Sequence, residues 1–301
     1  MVPMDGGYAI RISGSQLDLK PMLRQFFGLG DGAGGVQSTQ FDQTISLDVK
    51  LDRALGYYAT TAFNLDLDLL LRGSDMRRAN LTAQFSDGNA LSVTTNPVPD
   101  GRTLSVAFND AGTILRLLGV YSQLAGGTGS LVMTTNREAD VETGQLLLRD
   151  FAIVDEANVA QVLGNHSDSR AAIARQNRLD FDVAQVDFQR RSDRVEVTDA
   201  MLSGDTVGGT MRGFIYTNQR QYDLVGTYVP LFGLNNAFQQ IPILGPLLGG
   251  REGEGLVGVT FAVQGPLDNP QFRINPLSIL VPGAFRELFE FRAKEQPPAA
   301  E

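Results

Sequence analysis

Apolar and polar residues alternate with a period of two along much of this chain. Phe41, Ile45, Leu47, Val49 and Leu51 share one parity, while Asp42, Thr44, Ser46, Asp48 and Lys50 take the other. Phe63, Leu65, Leu67, Leu69 and Leu71 repeat the pattern against Asn64, Asp66 and Asp68. Leu81, Ala83 and Phe85 do so against Asn80, Thr82 and Gln84. Successive side chains on a strand point to opposite faces, so this period predicts strands with one apolar and one wet face. An antiparallel meander is the natural home for such strands. Ser86-Asp87-Gly88-Asn89 and Pro97-Val98-Pro99-Asp100-Gly101 have the chemistry of tight hairpin connections.

Other periods interrupt the strands. After a short strand at residues 8–12, Leu19, Met22, Leu23, Phe26 and Phe27 recur at helical spacing, with Pro21 suited to a first turn and Gly28 to a C-terminal cap. Asn109-Asp110 caps a second helix carrying Ala111, Ile114, Leu115, Leu118 and Tyr121 on one side, with Gly126-Gly127 as its expected end. A helix covering the core is preferred there over one that plugs a sheet end. Strands are expected at residues 130–135 and 145–154, a short helical piece at 157–163, and loop or helix at 165–176. Leu179, Phe181 and Val183 are odd-numbered but Val186 and Phe188 even, which reads as a bulge near Ala184-Gln185. Residues 195–202, 207–216, 222–228 and 257–263 follow as strands, with a hairpin tip at 218–220. Asn275-Pro276 then opens a segment in which Leu277, Leu280, Val281, Ala284, Phe285, Leu288 and Phe289 form an apolar stripe, kinked at Pro282-Gly283.

Composition narrows the function. The 301 residues suffice for one large β domain or two smaller ones, and a hydrophobic share of 43% can build a sizeable core. The net charge of −9 argues against nucleic acid and against a basic lipid-headgroup surface, though not against contact with lipid tails. No cysteine is present, which removes disulfides, thiolate metal sites and a cysteine nucleophile. No apolar run approaches the ~18 residues of a membrane span. The opening Met1-Val2-Pro3-Met4-Asp5-Gly6-Gly7 lacks the basic start and apolar stretch of a signal peptide, so any export signal is expected upstream, in a longer protein of which this is the C-terminal piece.

Candidate chemistry is sparse. Gly30, Gly32 and Gly35 spell G-x-G-x-x-G, but a helix precedes and a strand follows, the reverse of a dinucleotide site. The single histidine, His166, sits in polar Gly164-Asn165-His166-Ser167-Asp168 without a nucleophile elbow. Asp66 with Asp68, and Asp180 with Asp182, share strand faces on the polar parity, while Glu252 and Glu254 lie in a glycine-rich turn. All read as solvated carboxylates, with an acid-pair hydrolase as a remote third reading. No calcium-loop pattern occurs. The expectation is a non-enzyme without metal or cofactor.

The C-terminal quarter carries a resemblance. Val229-Pro230-Leu231-Phe232-Gly233-Leu234-Asn235, Ile241-Pro242-Ile243-Leu244-Gly245-Pro246-Leu247-Leu248-Gly249-Gly250, Gly253-Glu254-Gly255 and Gly265-Pro266-Leu267-Asp268-Asn269-Pro270 before Asn275-Pro276-Leu277 together resemble the C-terminal region of AsmA-like proteins. This bacterial envelope superfamily includes the AsmA, TamB and YhdP types, and the specific likeness covers residues 226–292. The resemblance implies a mainly β fold with a long curved antiparallel β-sheet forming an apolar groove, a few short amphipathic helices inserted and at the C-terminus, in a periplasmic protein that moves phospholipid between inner and outer membranes. The implied organisation is a curved sheet region at 1–276, an amphipathic helical segment at 277–292 and a disordered tail at 293–301, with an inner-membrane anchor upstream. Expected lipid contacts are Phe63, Leu65, Leu67, Phe261 and Val263. Expected docking positions for a membrane or envelope protein are Phe232, Leu234, Leu247, Leu248, Phe285, Leu288 and Phe289. The alternative is a closed structural module for outer-membrane biogenesis that binds a protein partner, because parity alone does not separate a lipid-filled groove from one filled by side chains.

Overall fold

The computed structural model describes residues 2–4, 6–27, 43–72, 75–86, 88–99, 101–136, 141–155, 178–204, 207–230, 259–267 and 270–275. The expected helices at 157–163 and 277–292, the glycine-rich loop at 28–35, the polar stretch with His166, the pair Glu252 and Glu254, and the tail at 293–301 lie outside these residues. The fold is mainly β, in two compact units, Met1–Ala139 and Asp140–Glu301.

The first unit contains β1 (Val2–Met4), β2 (Gly7–Asp18), α1 (Lys20–Phe27), β3 (Thr44–Leu55), β4 (Thr61–Arg72), β5 (Asp75–Gln84), β6 (Ala90–Val98), β7 (Gly101–Phe108), α2 (Ala111–Leu118) and β8 (Leu124–Asn136). Its strands lie side by side in chain order. Neighbours run antiparallel except β2 and β3, which are parallel. A parallel pair needs a long crossover, and the connection carrying α1 supplies it.

Both helices gather at one end of this sheet. The Leu19 N–H donates to the Leu55 carbonyl at 2.8 Å, and the Tyr57 N–H to the Leu117 carbonyl at 3.0 Å. The tip of the β3–β4 hairpin is thus held by the start of α1 and the end of α2. Leu117 enters a core with Val49, Leu51, Ala54, Ala62, Leu65, Ala83 and Phe85.

The region of α2 and β8 differs from expectation. α2 ends at Gly119 rather than at Gly126-Gly127, and β8 starts at Leu124 rather than near residue 130. Gly119 adopts φ 68° and, with the Val120 N–H, bonds back to the Arg116 and Leu115 carbonyls, which closes the helix. Gly126 and Gly127, at φ 68° and 97°, lie within the strand instead. Of the expected apolar side of α2, Ala111 is buried and Ile114 packs against the core, while Leu115 and Leu118 are only partly buried; Gly112 and Leu117, outside that side, are buried as well.

The second unit contains β9 (Val141–Val154), β10 (Arg178–Arg190), β11 (Arg194–Ser203), β12 (Val207–Tyr216), β13 (Gln221–Pro230), β14 (Val259–Pro266) and β15 (Gln271–Asn275), each antiparallel to the next. The last strand was not expected, because Pro270 and Pro276 confine it to five residues. The parity change in β10 falls at Asp182-Val183, slightly before the expected Ala184-Gln185. Asp150 of β9 takes φ 53° there, and exposed Arg149 and Asp150 separate buried Leu148 from buried Phe151. The β9–β10 register is the same on both sides of this kink, and Phe151 stacks on Phe181 with ring centroids 5.1 Å apart. A true register shift in β10 faces β11, between Asp187 and Phe188.

The expected wet face is not general. In β13 and β14, Leu224 and Val263 pack on one face, yet Val225 and Ala262, which alternate with them, are also buried.

Candidate apolar site on the sheet faces

In the first unit, cross-strand register aligns the apolar positions into continuous rows. Ile12, Val49, Leu67, Leu81, Val93, Val106 and Leu131 oppose one another in succession from β2 to β8. At a strand spacing of ~4.8 Å the row runs about 29 Å. Val49 is closed off at 2% exposure, whereas the other six remain partly accessible. The neighbouring row on the opposite face reads Ser13, Lys50, Asp66, Thr82, Ser92, Ala107 and Ser130. One face therefore offers a hydrocarbon strip and the other hydroxyls and charges.

The wet face is laced by ion pairs. Arg11 meets Asp48 at 3.1 Å, Lys50 meets Asp66 at 2.7 Å, and Arg78 meets Asp68 at 2.8 Å. The hydrogen bond and charge of Asp66 raise the Lys50 pKa above the usual lysine value. Asp66 and Asp68 are thus each engaged by a cation, as Asp180 is by Arg178 at 2.8 Å. Such exposed pairs contribute little stability. A shallow hollow of about 400 Å³ at the kink of β3 and β4 is lined by Ser13, Gly14, Lys50, Asp52, Asn64 and Asp66 together with Leu51 and Leu65. Among the described residues no group of three or more acidic or histidine side chains could hold a metal ion. Nor is any described helix long and apolar enough to cross a membrane.

The structure divides the expected lipid contacts. Leu65 and Leu67 share the apolar face: Leu65 is 7% exposed in the core under Leu117, and Leu67 is partly accessible beside it. Phe63 does not join them. Asn64 adopts φ 49°, and the register with β5 shifts between Phe63 and Asp66. Ala62 and Leu65 are buried, while Phe63 is opposite exposed Arg53 and exposed Gln84, on the wet side. The bulge carries one extra residue, so the parity that placed Phe63 with Leu65 is broken between them.

Phe261 and Val263 lie on the apolar face of the second unit, with Val197, Ala200, Leu224 and Phe272. The row Leu146, Val186, Ala200, Met211, Gly226 and Phe261 joins β9 to β14. The Phe261 ring lies over Gly226, and in the next row the Phe188 ring lies over Gly144. Each aromatic fills the space left by the absent side chain. The expected docking positions Phe232, Leu234, Leu247, Leu248, Phe285, Leu288 and Phe289 lie outside the described residues.

Sequence reasoning missed Ile12, Val93, Val106 and Leu131 as members of the site. Their signal is present but faint: Leu91, Val93 and Thr95, then Leu104, Val106 and Phe108, alternate with polar or small residues across a short hairpin. No protein-family model, curated protein or solved structure matches the chain.

Proposed function

We propose that this chain is a non-catalytic segment of an AsmA-like envelope protein whose apolar sheet face carries the acyl chains of phospholipid between the inner and outer membranes. The observation that supports this most is the row from Ile12 to Leu131, which crosses seven strands, is partly accessible at six of its seven positions and is backed by a polar face. A row of about 29 Å is longer than the ~15 Å thickness of one bilayer leaflet, half of a hydrocarbon core. Each lipid methylene withdrawn from water there is worth about 0.8 kcal/mol, so an acyl chain needs no reactive group to hold it. The envelope location, the upstream anchor and the docking of the C-terminal segment are part of the same proposal and rest on the residue 226–292 likeness.

Native mass spectrometry of the gently extracted chain, with lipidomics of what co-purifies, tests the reading. Phospholipid at defined stoichiometry is expected. It should be lost in Leu67→Asp with Val93→Asp and retained in Thr82→Asp with Ser92→Asp, with β content by circular dichroism unchanged in both. A clean, folded, lipid-free chain overturns the proposal and favours the second reading, a closed assembly module that binds a protein partner. Leu117 over the Leu65 end of the core and the Phe261 ring over Gly226 favour that alternative, because both fill the apolar face with the chain's own side chains.

A further inference from the structure

β5 and β6 separate partway along their length. Their backbones pair from Gln84 with Ala90 to Leu81 with Val93, and among the described residues no backbone pair joins them beyond that level. Both strands run on: β5 pairs with β4 as far as Asp75, and β6 with β7 as far as Val98. Two side chains occupy the fork. Thr95 Oγ1 accepts from the Ala79 N–H at 2.9 Å and donates to the Ala79 carbonyl at 3.0 Å, and the Thr95 N–H donates to Asn80 Oδ1 at 3.2 Å. Past the fork, Pro97 has no N–H to offer, and Arg77 is the extra residue of a bulge between β5 and β4. Proline and bulges are devices that keep strand edges from pairing. They mark the notch between β5 and β6 as built into the sheet.

The notch opens at one margin of the apolar face. Met76, opposite Leu71, and Leu104, opposite Thr95 and Met133, are partly accessible on its two sides. Arg102 alternates with Thr103 and so shares the face of Leu104, Val106 and Phe108, yet it is a cation, partly buried, opposite Pro97. Exposed Arg77 stands on the other wall, two residues beyond Ala79 as Pro97 is two beyond Thr95. Arg78, by contrast, is held by Asp68 on the wet face. On the acyl-chain reading above, on which this rests, we infer that the notch holds the phosphate of the carried lipid between Arg77 and Arg102, with an acyl chain lying along Leu104, Val106 and Phe108. Guanidinium groups match phosphate oxygens in planar pairs. Two of them on opposite walls make a point site and need no basic surface, in keeping with the net charge of −9. From Arg102 to Phe108 the strand advances about 20 Å at ~3.3 Å per residue, against ~15 Å for one leaflet of hydrocarbon. Charge at the strand end followed by hydrocarbon is the order of a phospholipid, and the acyl chain crosses the long apolar row at Val106.

Titration of the full chain with fluorescent phosphatidic acid, and with a diacylglycerol of the same acyl chains, tests the site. Phosphatidic acid should bind about tenfold tighter. Arg77→Gln with Arg102→Gln should bring it down to the diacylglycerol level and leave diacylglycerol binding unchanged. The lysine pair Arg77→Lys with Arg102→Lys should keep part of the preference, and it carries the test if the urea midpoint shows the glutamine pair to be unfolded. Arg11→Gln with Arg53→Gln, which removes the same charge from the wet face, should change neither lipid. Equal binding of the two lipids by the unaltered chain overturns the inference while leaving the apolar face in place. So does a wet-face pair as damaging as the notch pair, or displacement of phosphatidic acid by an equal concentration of inorganic phosphate, which would mark a site for free anions. Binding of neither lipid overturns the acyl-chain reading together with this site.

Discussion

Asn64 and Asp150 take the same left-handed backbone in two different strands, at φ 49° and 53°. Left-handed φ costs a residue with a Cβ about 1–2 kcal/mol, and asparagine and aspartate bear it best after glycine. Asn64 also donates its side-chain amide to the Gln84 side chain at 3.1 Å, which ties the bulge to β5. Asn64→Val should lower stability by about 1–2 kcal/mol, more than Asn64→Gly, measured as the urea midpoint of the two variants. Equal midpoints would show that the bulge carries no strain. The same residue explains why Phe63 could not be placed from its neighbours. Alternation assumes extended backbone at every step, and nothing in Phe63-Asn64-Leu65 announces that one residue abandons it.

At the scale of an element, α2 shows which ends of a helix are legible. Its start is written in local chemistry: Asp110 accepts from the Thr113 N–H at 2.9 Å and from the Thr113 hydroxyl at 2.6 Å. Asp110→Ala should cost about 1 kcal/mol through the lost cap. Leu117→Ala should cost about 2–5 kcal/mol, because Leu117 fills the core over Leu65 and Phe85. Chemical denaturation followed by far-UV circular dichroism separates the two, and a Leu117→Ala penalty below that of Asp110→Ala would contradict this packing. The end of α2 was not legible. Gly119 and Gly126-Gly127 are both acceptable stops, and the choice was made by β8, whose pairing with β7 and whose Leu124 carbonyl, accepting from Arg116 at 2.9 Å, fix the chain beyond Gly119. β15 was missed for a related reason. Five residues between prolines carry little periodicity, and their strand form comes from pairing with β14.

For the whole molecule, alkaline pH is the informative stress. The Asp66 carboxylate raises the pKa of Lys50 above 10.5, and burial raises that of half-buried Tyr222 above 10.0, against a smaller opposing effect of Arg220. In both cases the folded state holds the proton more tightly than the unfolded chain. Their contributions are therefore complete below the unfolded values and fade as pH rises through the folded ones. The urea midpoint should be level on approach to pH ~10 and fall above it, and Tyr222→Phe should make the fall shallower. In a spectrophotometric titration, Tyr222 should ionise later than an exposed tyrosine. A midpoint that rises above that pH would reverse the sign of both effects.

The sequence by itself determined that the chain folds as strands with an apolar and a polar face, where the main hairpins turn and where α1 and α2 begin. These properties follow from side-chain direction, turn chemistry and capping, each of which acts within a few residues. Only the tertiary structure decided that Phe63 leaves the face of Leu65, that Val225 and Ala262 are buried behind Leu224 and Val263, and that the apolar positions of β2 to β8 fall into one row. Each of these depends on register and on which strand lies alongside, and those are set by backbone pairing between residues far apart in the chain. A period of two carries no record of either.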